Sequence, residues 1–159
     1  MLKLKNDCDI ENVTPTLFTI GYEGLGIEEY INKLVQNNVE VLIDVRKNPF
    51  SYKFGFSKKI LQNYAEDAGM EYVHIPALGI DSYKRKELKT QDDYNILFKE
   101  YETQLEDKQR ELNLVIDLLN KNKRIALTCF EKKPEMCHRT RIKNYIIKQL
   151  QSDCAVVEL

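Results

Sequence analysis

Short β-branched apolar runs alternate along this chain with segments whose apolar residues recur at helical spacing, and no other feature restricts the fold as strongly. Leu17-Phe-Thr-Ile20 runs into Gly21-Tyr22-Glu23-Gly24, a strand entering a turn, and Ile27, Tyr30, Ile31, Leu34 and Val35 then repeat as one face of a helix. The segment from Val39 to Arg46 is apolar enough to be a strand covered on both sides. Ile60, Leu61, Tyr64, Ala65 and Ala68 outline a second helix, with Ser57 as N-cap and Gly69 as stop. Tyr72-Val-His-Ile75 is a third strand, closed by Pro76. After a loop over 77–89, Tyr94, Leu97, Phe98, Tyr101 and Leu105 mark one helix and Leu112, Val115, Ile116 and Leu119 the next. Arg124 to Phe130 is a fourth strand, Pro134 breaks the chain, Ile142, Tyr145, Ile146 and Leu150 give a last helix, and Ala155-Val-Val157 a fifth short strand. Such alternation predicts an α/β fold, a three-layer sandwich around a mainly parallel sheet of about five strands, in an order the pattern leaves open.

No internal repeat, low-complexity tract or Pro/Gly-rich linker interrupts that series, so residues 16–159 are expected to form a single domain behind a flexible N-terminal arm, residues 1–15. A chain of 159 residues buries roughly two-thirds of its unfolded surface around one core. With 31% charged residues and no run near the roughly 18–20 apolar residues of a bilayer span, no membrane helix is expected. The stretch from Met1 to Asp9 mixes charges of both signs without an apolar signal core, so a cytoplasmic location is expected. Cys8, Cys129, Cys137 and Cys154 then read as reduced thiols rather than a disulfide framework.

The formal net charge of -1 conceals two opposed segments. Between Arg46 and Lys59 lie Arg46, Lys47, Lys53, Lys58 and Lys59 and no acid, whereas Asp92, Asp93, Glu100, Glu102, Glu106 and Asp107 face Lys99 alone between Gln91 and Asp107. The first can meet an anion, and the second reads as a solvated helix face. Phe50, Tyr52, Phe54 and Phe56 interleave with the lysines of the basic segment, which suits base stacking with phosphate attraction, or plain packing of the loop on the sheet.

In an open parallel sheet, ligands bind at the carboxyl ends of the strands, where βα loops and helix N-termini converge. The polar residues of this chain gather there: Tyr22, Asp44 with Arg46, His74, and Cys129 with Glu131. Cys137-His138-Arg139 follows Pro134 at the start of the last helix, where unpaired N–H groups and a partial positive charge bind anions and favour a thiolate. Glu131, His74 and Asp44 are candidates for proton transfer, Cys137 and Cys129 for nucleophile, and Tyr22, Arg46, Ser51, His138 and Arg139 for holding substrate. Plainer readings stand beside these. Asp44 and Arg46, two apart on one strand face, also suit a structural ion pair. Cys129 and Cys137 suit buried apolar sites, Arg139 a surface pair with Glu135, and His74 a core position, while Tyr83 and Arg85 on the following loop are candidates for substrate contact that more simply suit an exposed surface. No metal or other cofactor is assigned. There is no C-x-x-C pair, and a Cys137-His138 neighbour pair at a helix start is expected to diverge rather than share an ion with Cys129.

Thr19-Ile-Gly-Tyr22, Leu42-Ile-Asp-Val-Arg46 with Pro49 and Ser51, Tyr72-Val-His-Ile-Pro-Ala-Leu-Gly79, and Cys129-Phe-Glu131 followed by Cys137-His-Arg139 occur in that order. Over about residues 17–150 this set resembles the domain of unknown function 488 family. The resemblance implies a compact α/β domain with a polar cleft built from these motifs, and it brings no established reaction. The chain departs from the family pattern at Gly79-Ile80, where a Gly-Gly pair often follows the Pro-x-Leu segment. The strand ending in Asp-Val-Arg is also similar to rhodanese and dual-specificity phosphatase domains, whose cysteine opens a short anion cradle closed by arginine. The eight-residue step from Cys129 to Cys137, with Pro134 inside it, does not match that cradle, so sulfur or phosphoryl transfer stays an analogy.

The leading expectation is an enzyme acting on a small anionic or nucleotide substrate, with nucleic acid as an alternative partner. A non-catalytic nucleic-acid-binding module and a thiol- or metal-dependent regulatory domain compete with it. The sequence assigns no oligomeric state.

Overall fold

In a computed structural model of the chain, residues 14–122 and 124–159 are described, and Cys8 with the expected arm up to residue 13 lies outside them. The elements follow as β1 (Thr16–Gly21), α1 (Ile27–Gln36), β2 (Val41–Asp44), α2 (Lys58–Asp67), β3 (Glu71–His74), α3 (Gln91–Leu105), α4 (Gln109–Asn122), β4 (Arg124–Cys129), α5 (His138–Gln149) and β5 (Ala155–Glu158). Short 3-10 turns at Pro76–Leu78, Ser82–Arg85 and Pro134–Met136 punctuate the long connections. The described strands pair in parallel throughout, in the order β3-β2-β4-β1-β5.

Alternation along each strand divides the core in two, because successive side chains point to opposite faces of a sheet. Phe18, Ile20, Leu42 and Ala126 pack with Tyr30 and Leu34 of α1 and Leu61 and Ala65 of α2. Leu17, Val41, Ile43, Ile125 and Leu127 pack with Phe98 of α3, Val115 of α4 and Ile142 of α5. This is the three-layer arrangement that the periodicity predicts. The acidic stretch behaves as expected of a solvated face: Thr90 and Asp93 close a capping box at the start of α3, which buries Leu97, Phe98, Tyr101 and Leu105. Asp92, Glu100, Glu102 and Glu106 stay exposed.

The strand ends are level, and that levels the chemistry. Gly21 lies opposite Cys129, while Asp44 lies opposite Thr128 on one side and His74 on the other. The second strand stops at Asp44, short of the expected Arg46, so the Val45-Arg46 step belongs to the loop above the sheet. Among the described residues no helix is long and apolar enough to cross a membrane.

Leu127 sits fully buried on β4, in the centre of the sheet. Leu127→Ala is expected to lower the unfolding free energy by about 2–5 kcal/mol, read from the midpoint and slope of urea denaturation.

Candidate functional site

Above the level strand ends stands a buried charge network. Arg46 donates from Nε to Asp44 Oδ1 at 2.8 Å and from one terminal nitrogen to Asp44 Oδ2 at 2.6 Å, while its backbone N–H also reaches Oδ1. The other terminal nitrogen donates to the Tyr22 hydroxyl and the Phe56 carbonyl. Tyr72 donates its hydroxyl to Asp44 Oδ2 at 2.6 Å. Burial works against the Arg46 charge, but the hydrogen bonds and opposite charge of Asp44 more than offset it, so the guanidinium is held above its ordinary pKa. Burial next to the Asp44 carboxylate likewise pushes the Tyr72 hydroxyl up. Tyr22 completes the network by stacking on Phe56 at 4.3 Å between ring centres.

A second cluster lies where β4 meets α5. Cys129 ends the strand, and Cys137 caps the helix that His138 begins. His138 Nε2 lies 2.9 Å from the Val45 carbonyl, which only accepts, so Nε2 carries the proton and Nδ1 is left with a lone pair. That Nδ1 faces Cys129 Sγ at 3.6 Å, Cys137 Sγ at 3.8 Å and an Arg85 terminal nitrogen at 2.8 Å. Arg85 also pairs with Glu131. Cys129 Sγ and Glu131 Oε2 are 3.0 Å apart, close enough to share one proton. Burial opposes ionisation of Cys129, yet its hydrogen bonds with Cys137 and His138 and the positive charge of Arg85 bring it well below the ordinary thiol value. Cys137 moves the other way, raised by burial and by its negative neighbour Cys129. Burial and the Cys129 charge push Glu131 up to about 7 against the pull of Arg85. The ligand atoms of Cys129, Cys137 and His138 all lie within 4.8 Å of one another. The expected divergence of Cys137 and His138 therefore does not occur, because the helix start turns the imidazole back over both sulfurs.

A cavity of about 420 Å³ opens over both clusters. Tyr22, Arg46, Ser51, Cys129 and His138 line it, beyond the carboxyl ends of the strands where an open parallel sheet takes its ligands. Lys47, Lys53, Arg85 and the rings of Phe50, Tyr52 and Phe130 complete its wall, and among the described residues those lining it include no acidic side chain. Asp44 is beneath the wall, bound to Arg46, and Cys137 is fully buried behind Cys129.

Two candidates sit elsewhere. Arg139 is fully buried and spans to the Glu131 and Lys132 carbonyls and to Glu158 on β5, rather than to Glu135 or the cavity. It fixes the loop that carries Glu131. His74 points its Nε2 at the Arg46 carbonyl, 2.8 Å away, and lines a separate hollow with Pro76 and Arg110. It braces the backbone of Arg46 from outside. Gly21 and Gly79 permit the close approaches this requires: a Cβ on Gly21 would lie 1.9 Å from the Glu131 carbonyl oxygen, and one on Gly79 2.1 Å from the Lys47 nitrogen.

The residue that sequence reasoning undervalued is Arg85. Its surface reading fails because the turn Ser82–Arg85 folds back over the sheet end and inserts the guanidinium between Glu131 and His138. The available signal was its place in the loop leaving β3, since that loop starts at the same sheet edge as the other candidates.

A family model described as domain of unknown function DUF488 matches residues 26–146. No curated protein and no solved structure matches the chain.

Removing Asp44 leaves the Arg46 cation buried without its counter-charge. Asp44→Ala is expected to cost about 3–5 kcal/mol of stability in urea denaturation followed by circular dichroism. A cost under about 1 kcal/mol would mean that the network is not a structural anchor.

Proposed function

The chain belongs to the DUF488 family of domains of unknown function, and from the cavity this member builds we propose an enzyme that acts on a small anionic, nucleotide-like substrate. The observation that carries the reading is the wall itself, in which Arg46, Lys47, Lys53 and Arg85 stand among Tyr22, Phe50, Tyr52 and Phe130 with no acidic side chain lining it. Cations without facing carboxylates attract phosphate, and exposed rings offer π-faces to a base. Neither Lys47 nor Lys53 has a carboxylate partner among the described residues, in contrast to Arg46 and Arg85. The two lysines are therefore the wall cations without a counter-charge, although Lys53 gives one donor to the Tyr22 carbonyl at 3.2 Å. Phe50 is 61% and Tyr52 97% exposed, so their rings are open to a ligand. A cavity of about 420 Å³ suits a ligand of mononucleotide size. Reaction belongs where Cys129, His138 and Arg85 line the cavity, with Glu131, which does not itself line it, sharing a proton with Cys129 from behind. Glu131 is the group placed to move a proton, and Arg46 holds the wall in position through Tyr22 and Phe56.

A second reading, a binding module without chemistry, is favoured by one observation: Phe54 is 73% exposed on the same basic loop yet does not line the cavity. A longer single strand laid across Phe50, Tyr52 and Phe54 would use it.

Titrating nucleoside monophosphates and a short single-stranded oligonucleotide, with tyrosine fluorescence as readout, is expected to show binding that weakens steeply with salt. Tyr52→Ala is expected to reduce affinity by about 5–150-fold, the equivalent of roughly 1–3 kcal/mol of stacking per base. Absence of binding to either probe at low salt overturns the reading. For the enzyme, Glu131→Gln is expected to abolish product formation, followed by chromatography of the nucleotide, while leaving binding in place. Preferential binding of the oligonucleotide without any product favours the module instead.

A further inference from the structure

We propose that Cys129, Cys137 and His138 form a binding site for one divalent ion of the zinc class, its fourth coordination position turned toward the cavity. A tetrahedral ion at the usual zinc–sulfur and zinc–nitrogen distances requires its sulfur and nitrogen ligands to stand about 3.6 Å apart. Here Nδ1 of His138 is 3.6 Å from Cys129 Sγ and 3.8 Å from Cys137 Sγ. Both sulfur–nitrogen spacings therefore match one coordination sphere, and the three donor atoms all lie within 4.8 Å of one another.

The orientation of the imidazole supports the same assignment. Because Nε2 donates to the Val45 carbonyl, the ring is locked with the Nδ1 lone pair toward the sulfurs. A histidine ligand typically holds its second nitrogen in this way, fixing tautomer and aim. All three residues are at most 2% exposed, and they come from the end of β4 and the first positions of α5, so the spacing is set by packed elements. Two thiols and an imidazole are soft donors, which select zinc over the hard cations that prefer oxygen.

Cys129 and His138 line the cavity, whereas Cys137 lies behind them, so the open position faces the substrate space. Three protein ligands with an open fourth place is the pattern of a catalytic rather than a structural zinc. Glu131, 3.0 Å from Cys129 Sγ, stands beside that position. A water held there would be an acid with its proton acceptor adjacent, a role that rests on the proposed enzymatic reading; ion binding itself does not. Arg85 donates to the same Nδ1, so guanidinium and ion exclude one another on that nitrogen. Ion binding moves Arg85 onto Glu131 alone, and its side chain, 23% exposed on a short turn, has solvent to move through.

The full chain, purified without chelators, is titrated with zinc against a chromophoric chelator and, separately, with cobalt(II). One equivalent of ion and the intense visible and near-ultraviolet bands of tetrahedral, thiolate-bound cobalt are expected. Cys137→Ser and His138→Gln, with folding checked by circular dichroism, are expected to weaken binding beyond the roughly 10–100-fold typical of losing an outer hydrogen-bond partner. Arg85→Ala, which removes both a competitor and a repelling charge, is expected to bind at least as tightly as the parent chain. Weak octahedral cobalt bands, substoichiometric zinc, undiminished affinity in folded Cys137→Ser, or weakened binding in folded Arg85→Ala would each overturn the site. None of these measurements involves a nucleotide, so the failure of nucleotide binding and the failure of the ion site are separately visible.

Discussion

The two-pronged grip of Asp44 on Arg46 governs how the upper edge of the sheet is organised. A buried ion pair is tolerated only when further hydrogen bonds satisfy both partners, and this one recruits them from several elements. Tyr72 on β3 donates to the carboxylate, Tyr22 beyond β1 and Phe56 before α2 accept from the guanidinium, and His74 donates to the Arg46 carbonyl. Three strand exits and the start of a helix are thereby tied to one point. The basic loop 47–55 is suspended between Arg46 and Phe56, so the geometry of its exposed rings depends on the same pair.

Arg139 does for the other end of the cavity what Arg46 does for this one. Its guanidinium bonds to two successive carbonyls of the 131–132 loop and to Glu158 on the edge strand. Glycine at position 21 lets that loop pass against β1, where any side chain would meet the Glu131 carbonyl. The two internal arginines thus shape the walls, Arg46 also lining the cavity itself, and the lysines and Arg85 supply the rest of its positive charge. This separation has a physical basis: a cation committed to carbonyls and a carboxylate has few donors left for a ligand, whereas Lys47 keeps its donors and Lys53 gives only one of its three, to the Tyr22 carbonyl.

The floor of the cavity combines features that would be unfavourable singly. Two buried thiols, an imidazole and a half-buried carboxyl lie in contact, with Arg85 as the positive charge that makes negative sulfur and carboxylate tolerable there. Burial raises the cost of every charge in the cluster, and the groups respond by moving apart in proton affinity, Cys129 down and Cys137 up. Any cation that enters replaces part of what Arg85 provides. Charge balance therefore links the thiols, the carboxyl and the loop carrying Arg85 into one unit.

The sequence by itself determined the elements and their polarity. Period-two and helical spacing mark Leu17–Ile20, Ile43, Leu127 and the helical stripes, because burial on a sheet or helix face imposes those periods whatever the partners. It also singled out Tyr22, Arg46 and Cys129 at strand exits, Ser51 in the loop beyond Arg46 and His138 at the start of the last helix, and the structure sets those five around one cavity. The tertiary structure alone decided the strand order, the inward commitment of Arg139 to Glu158, the outward brace of His74, and the convergence of Arg85 on Glu131 and His138. Each of these depends on which distant segment lies alongside: Arg139 and Glu158 meet only because β5 pairs with β1. Local periodicity records that a face is buried, not what it is buried against, and the direction of a polar side chain is set by that second fact.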